Sequence, residues 1–91
     1  MTWEEYKEKM KHKSDTAKED IEEMELLADI VSSIIKKRDE MSLSQRDLAK
    51  LAGLPQSSIA RIESFAVTPN IETILKILRP LGLTLIVVQN K

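Results

Sequence analysis

What most constrains this 91-residue chain is a series of short, closely spaced apolar stripes beginning near residue 44, two of them separated by a single glycine. Ser44 opens a helix reaching about Ala52. Asp47 stands three residues later, in the reciprocal position of a capping box. Leu48, Ala49 and Leu51 are expected to face inward. Gly53 has the residue type that a left-handed helix stop needs. Leu54-Pro55 begins a second helix, roughly Gln56 to Ser64, with Ile59 and Ile62 as its buried pair. Phe65 to Pro69 reads as a loop. Asn70 can cap a further helix carrying Ile71, Ile74, Leu75 and Leu78, after which Pro80 and Gly82 end helical structure.

Upstream the pattern is longer. Thr2 followed by Glu5 is a capping-box signature, and Trp3, Tyr6 and Met10 then share one face of a short helix. The polar cluster His12-Lys13-Ser14-Asp15 interrupts it. Thr16 with Glu19 offers a second capping box for a helix running to about Glu40. Ile21, Met24, Ala28, Val31 and Ile35 form its apolar stripe, widened by Leu27 and Ile34.

Charge divides the chain in the same way. The formal net charge is −1, but residues 1–30 carry −5 and residues 31–91 carry +4. Only the second part has the sign needed to approach phosphates. The plainer alternative, that the acidic helix faces are merely solvated, stays open. There is no cysteine, which excludes a disulfide-stapled domain and thiol chemistry. No apolar run reaches membrane-spanning length, and the opening residues are too acidic for a signal peptide. A soluble, cytoplasmic protein without cofactor or metal is expected. His12 lies in a polar break beside lysines, and no nucleophile–base pair or phosphate loop appears, so an enzyme is not expected.

Two short helices joined through a glycine turn, the second displaying small polar and basic residues, match the geometry of a major groove. The stretch from Leu43 to Glu63, LSQRDLAKLAGLPQSSIARIE, continues as Pro69-Asn70-Ile71-Glu72-Thr73 and on to Leu81-Gly82. It closely resembles the Cro/cI-type (XRE) helix-turn-helix family over about half of the chain. The resemblance implies a mainly α fold, a lambda-repressor-like helix-turn-helix bundle. To it the sequence adds an N-terminal helical extension and a single C-terminal β-strand. The corresponding divisions are residues 1–15, 16–82 and 83–91.

The resemblance also implies site residues. Gln45 would present its amide to a phosphate, as a glutamine in this position does in the family. Gln56, Ser57, Ala60 and Arg61 share the outward face of the second helix. Gln56 can bond an adenine edge, Arg61 a guanine edge, and the Ala60 methyl can touch a thymine methyl. Ser58 fits a backbone phosphate better. Solvated roles for Arg61, Ser57 and Ser58 remain the plain alternatives. In related domains a glutamate at the position of Glu63 pairs with an arginine at that of Arg38. A partly buried Arg38–Glu63 pair is therefore expected, and breaking it would cost several kcal/mol. Two positions depart from the family pattern. Pro55 stands where a serine or threonine usually caps the second helix, and supplies no capping oxygen. Ser64-Phe65 stands where a glycine usually follows, so loop contacts with phosphate are not carried over.

The tail from Leu83 to Val88 is apolar and β-branched, and reads as a strand. A lone strand would leave backbone groups unpaired, so pairing of Leu83, Leu85, Ile86, Val87 and Val88 with a second copy is expected. The alternative is a tail folded back as irregular structure. A homodimer suits an inverted-repeat operator in double-stranded DNA. Small strand-ended proteins of this family resemble HigA-like and HipB-like antitoxins, which implies a repressor that also neutralises a toxin. Trp3, Tyr6 and Met10 would then dock on a basic toxin, unless that helix packs on its own domain. A stand-alone repressor of phage or prophage type, and an interaction module with a vestigial DNA-binding head, are the alternatives.

Overall fold

The computed structural model describes Thr2, Glu4, Glu5 and residues 15–89, with side chains from residue 20 onward in the long first helix. Trp3, Tyr6, Met10 and His12 fall outside what it describes, as do the side chains of Thr16 and Glu19; Thr16 itself lies inside the first long helix rather than at its expected N-cap. Glu4 and Glu5 are helical, and among the described residues from 15 onward four helices follow in order: α1 (Asp15–Glu40), α2 (Gln45–Ala52), α3 (Gln56–Glu63) and α4 (Ile71–Leu81). Residues 1–30 and 31–91 form two compact units. In the first, the Thr2 hydroxyl accepts the Glu5 N–H at 3.1 Å, half of the capping box read from the sequence. Ile21 is buried there, and Met24, Leu27 and Ala28 are half-buried.

The second unit carries the aliphatic core. Val31 and Ile34 of α1, Leu48 and Ala49 of α2, Ile59 and Ile62 of α3, and Ile74, Ile77, Leu78 and Leu81 of α4 are all buried. Helix α2 packs against both α3 and α4. The small Ala49 permits the close crossing. Two inward expectations are corrected. Leu51 is 59% exposed, because at about 100° per residue it lies well off the face shared by Leu48, Ala49 and Ala52. On α1, Ile35 is only half-buried while Ile34 is enclosed, so the inner face runs Val31, Ile34, Arg38.

Side chains start the short helices where their types suggest. The Ser44 hydroxyl accepts the Asp47 N–H at 2.9 Å, and Asp47 Oδ2 accepts the Ser44 N–H at 3.0 Å, which completes the capping box. These bonds, the Ser44 backbone first, hold the Asp47 carboxyl below its usual pKa. Asn70 Oδ1 accepts the Thr73 N–H at 2.8 Å. Pro55 gives α3 no side-chain cap. Pro80 does not end α4: with no N–H it leaves the last turn one bond short, and the helix runs on to Leu81.

All four helices stop alike. In each, one N–H reaches back three residues and the next reaches back five, the Schellman pattern. The pairs are Ser42 to Asp39 with Leu43 to Arg38, Gly53 to Lys50 with Leu54 to Ala49, Phe65 to Ile62 with Ala66 to Arg61, and Gly82 to Arg79 with Leu83 to Leu78. The first residue of each pair is left-handed: φ is 56° at Ser42, 72° at Gly53, 61° at Phe65 and 71° at Gly82. Two of the four stops thus lack the glycine that adopts this conformation without steric cost.

Beyond α4, residues 83–89 carry no helix, and no strand forms among the described residues. A strand is defined by a ladder, and a single copy of this tail has no neighbour to make one. No described helix is long and apolar enough to cross a membrane.

The helix stops yield a paired test by chemical denaturation. A Cβ at Gly53 meets nothing within 4 Å, so Gly53→Ala acts through backbone strain alone and should lower stability by about 1 kcal/mol. Ser42→Gly at the exposed first stop should raise it by about 0.5 kcal/mol.

Candidate nucleic-acid interface

Helix α3 is eight residues long and lacks a side-chain cap, so its hold on the domain comes from Ile59 and Ile62 beneath it. Burying those two turns the remaining residues outward. Gln56, Ser57 and Arg61 are exposed, and Ser58 and Ala60 are half-buried. Gln56, Ser57, Ala60 and Arg61 fall on neighbouring turns of one face. Their polar side chains make no hydrogen bond or ion pair with another described group. The face therefore offers an amide, hydroxyls and a guanidinium, the donor and acceptor types that base edges and phosphates take.

Behind this face lies a polar junction. Arg38 Nε donates to Glu63 Oε2 at 2.8 Å and Arg38 Nη2 to Glu63 Oε1 at 2.9 Å, a bidentate fork. Arg38 Nη1 donates to the Leu43 carbonyl at 2.9 Å, so the same guanidinium ties down the link between α1 and α2. Their side chains are only 14% and 7% exposed. The Glu63 hydrogen bonds, opposed by burial, raise the Arg38 pKa further above its ordinary value. Glu63 closes α3, where the helix dipole disfavours an anion, and Arg38 offsets that as well.

Gln45 joins the same junction. Its Nε2 donates to Glu63 Oε1 at 3.0 Å across 18 residues of sequence. Nothing in residue type or spacing announces this bond, and the sequence reading placed Gln45 and Glu63 in separate roles. Arg46 is a second residue that the sequence pattern does not single out. It is exposed in the first turn of α2, where a cation opposes the helix dipole, and that unfavourable placement was the available signal. Among the described residues no His, Cys, Asp or Glu cluster is arranged to hold a metal ion. No buried side-chain nitrogen or oxygen among them lacks a partner.

This geometry agrees with the likenesses of the chain to known proteins. The helix-turn-helix family profile matches residues 34–88. An uncharacterised HTH-type transcriptional regulator of Haemophilus influenzae is 41% identical over 70 residues, which cover 77% of this chain and 71% of that protein. The regulator PuuR of Escherichia coli is 46% identical over 48 residues, 53% of this chain but 26% of PuuR, so that likeness is confined to one part of a longer protein. Among solved structures, a chain of a toxin–antitoxin module from Streptococcus pneumoniae shares 33% identity at a TM-score of 0.71. The match covers 100% of this chain and 94% of that one. The chain belongs to the helix-turn-helix family, in its XRE-type branch, whose members are non-enzymatic DNA-binding proteins.

Proposed function

We propose that this DNA-binding transcriptional regulator is a repressor of its own promoter, and the antitoxin of a type II toxin–antitoxin operon. The observation that carries the antitoxin role is the end-to-end likeness to a chain of the Streptococcus pneumoniae module, which includes residues outside the helix-turn-helix. The charge division supports two jobs, with +4 on the part that would meet DNA and −5 on the part that would meet a basic toxin. Trp3, Tyr6 and Met10 are the proposed apolar anchors of that contact. It would act in the cytoplasm, where its operator lies. A stand-alone repressor is the second reading, and the Haemophilus relative, known simply as a transcriptional regulator, favours it.

In this reading α3 enters the major groove. Arg61 bonds a guanine edge, Gln56 an adenine edge, and Ala60 touches a thymine methyl. Ser57 and Ser58 add polar contacts, and Gln45 and Arg46 grip phosphate at the start of α2. Two heads reading an inverted repeat need a fixed spacing. The tail supplies it by pairing with the same tail of a second copy. Ile86, Val87 and Val88 are 76%, 99% and 77% exposed, so their apolar surface is available for that pairing.

Arg61→Ala should leave the helical circular dichroism unchanged while weakening binding to the chain's own upstream DNA by about 1–3 kcal/mol. Parent-like affinity for that DNA would sink the groove assignment. A chain ending at Leu85 keeps the half-buried Leu83 and Leu85 and should sediment as a folded monomer. A dimer of that truncated chain would refute tail pairing. Co-expression with the adjacent reading frame tests the toxin partner: a growth-arresting basic protein, silenced by forming a complex with this chain, is the expected result. A neighbour with no such effect favours the stand-alone repressor.

A further inference from the structure

Glu63 has only acceptor oxygens, so the side-chain amide of Gln45 must turn its nitrogen, not its oxygen, toward it. That fixes the orientation of a group whose two ends usually interchange freely. The 3.0 Å bond consumes one of the two N–H donors on Nε2 and leaves the other unspent. Glu63 cannot swing away with Gln45, because two Arg38 nitrogens at 2.8 and 2.9 Å hold its carboxylate, and a third ties Arg38 to the Leu43 carbonyl. Gln45 is also the first residue of α2. Ser44 takes the N–H of Asp47, while the backbone N–H groups of Gln45 and Arg46 have no acceptor inside the helix.

We propose that Glu63 is a positioning residue for the DNA grip: it sets the Gln45 amide before DNA arrives, so that the second N–H is presented to a backbone phosphate. The inference rests on the reading of Gln45 as a phosphate contact. The benefit is entropic. A surface glutamine must lose its rotamer freedom when it binds, whereas this one loses it on folding. An anion beside a phosphate site is otherwise counterproductive, and the Arg38 fork is what makes it tolerable. The last residue of the reading helix and the first residue of α2 are thereby joined in one rigid unit.

The test is a double-mutant cycle on the full chain, measured with two labelled duplexes, one of its own upstream DNA and one of scrambled sequence. Gln45→Ala should weaken both by about five-fold, the worth of one hydrogen bond. No change would overturn the phosphate reading itself. Glu63→Gln, which keeps the side chain's size, should also weaken both. Simple removal of a negative charge predicts tighter binding instead. Added to Gln45→Ala, Glu63→Gln should cost clearly less than it does alone, the remainder being what the loosened Arg38 fork takes from α3; an undiminished effect in that background would overturn the positioning role while leaving the phosphate contact intact. A measurement on the unmodified protein guards against misfolding of the variant. The Gln45 side-chain amide should show an NMR order parameter near the rigid-backbone value of about 0.85, with exposed Gln56 below about 0.6 as the internal comparison. Equal mobility of the two would also overturn the inference.

Discussion

The Glu63 carboxylate is the point around which the domain is organised. It is 7% exposed and sits at the end of α3, so desolvation and the helix dipole both act against it. Arg38 offsets that cost, and its fork ties the C-terminal end of α1 to the end of α3. The guanidinium's third nitrogen, Nη1, donates to the Leu43 carbonyl, and the Gln45 amide donates to Glu63 Oε1. An apolar pair of similar volume can match a buried ion pair in stability. It cannot match the directionality of a fork, which sets the rotation of the reading helix as well as its distance. For a protein that must match a groove, rotation is the harder quantity to hold.

The same economy governs the helix ends. Helices of eight residues are marginal alone, so each must stop where the next can pack on the shared core. The Schellman closure does this at all four ends by reversing the chain within one left-handed residue. Gly53 and Gly82 take that conformation freely. Ser42 and Phe65 take it against their sterics, so the surrounding contacts must overcome a local cost. At Phe65 the burial of Ile62 and the bond from Ala66 back to Arg61 hold the turn, and they also fix the end of the reading helix.

These features divide by how openly the sequence declares them. Ser44 with Asp47, Asn70 and Gly53 announce helix ends through local chemistry, so the four-helix order and its loops were legible. Leu51 and Ile35 show that apolar character is not inwardness: on α2 the Leu48–Ala49–Ala52 face excludes Leu51 by angle alone. The left-handed stops at Ser42 and Phe65 carry no propensity signal, since neither residue type favours that region. The Gln45–Glu63 bond was invisible for another reason. It joins polar residues far apart in sequence, and only the packed crossing of α2 with α3 brings them together.

The tail shows a different limit. From Leu83 to Ile86 half-buried and exposed residues alternate, the period of a strand, yet no ladder exists. A β-branched apolar segment specifies that its backbone should extend, and leaves its partner to come from elsewhere. Helical signals are closed within one segment, because each N–H finds its acceptor a few residues away. Strand signals stay open until a second strand arrives. The described part thus holds four closed elements and one open one, and pairing of that open one with a second copy is what the proposed dimer requires. In the proposed dimer the Ser44–Ser64 unit reads half of an inverted repeat, and the open tail is the feature that would join the two halves.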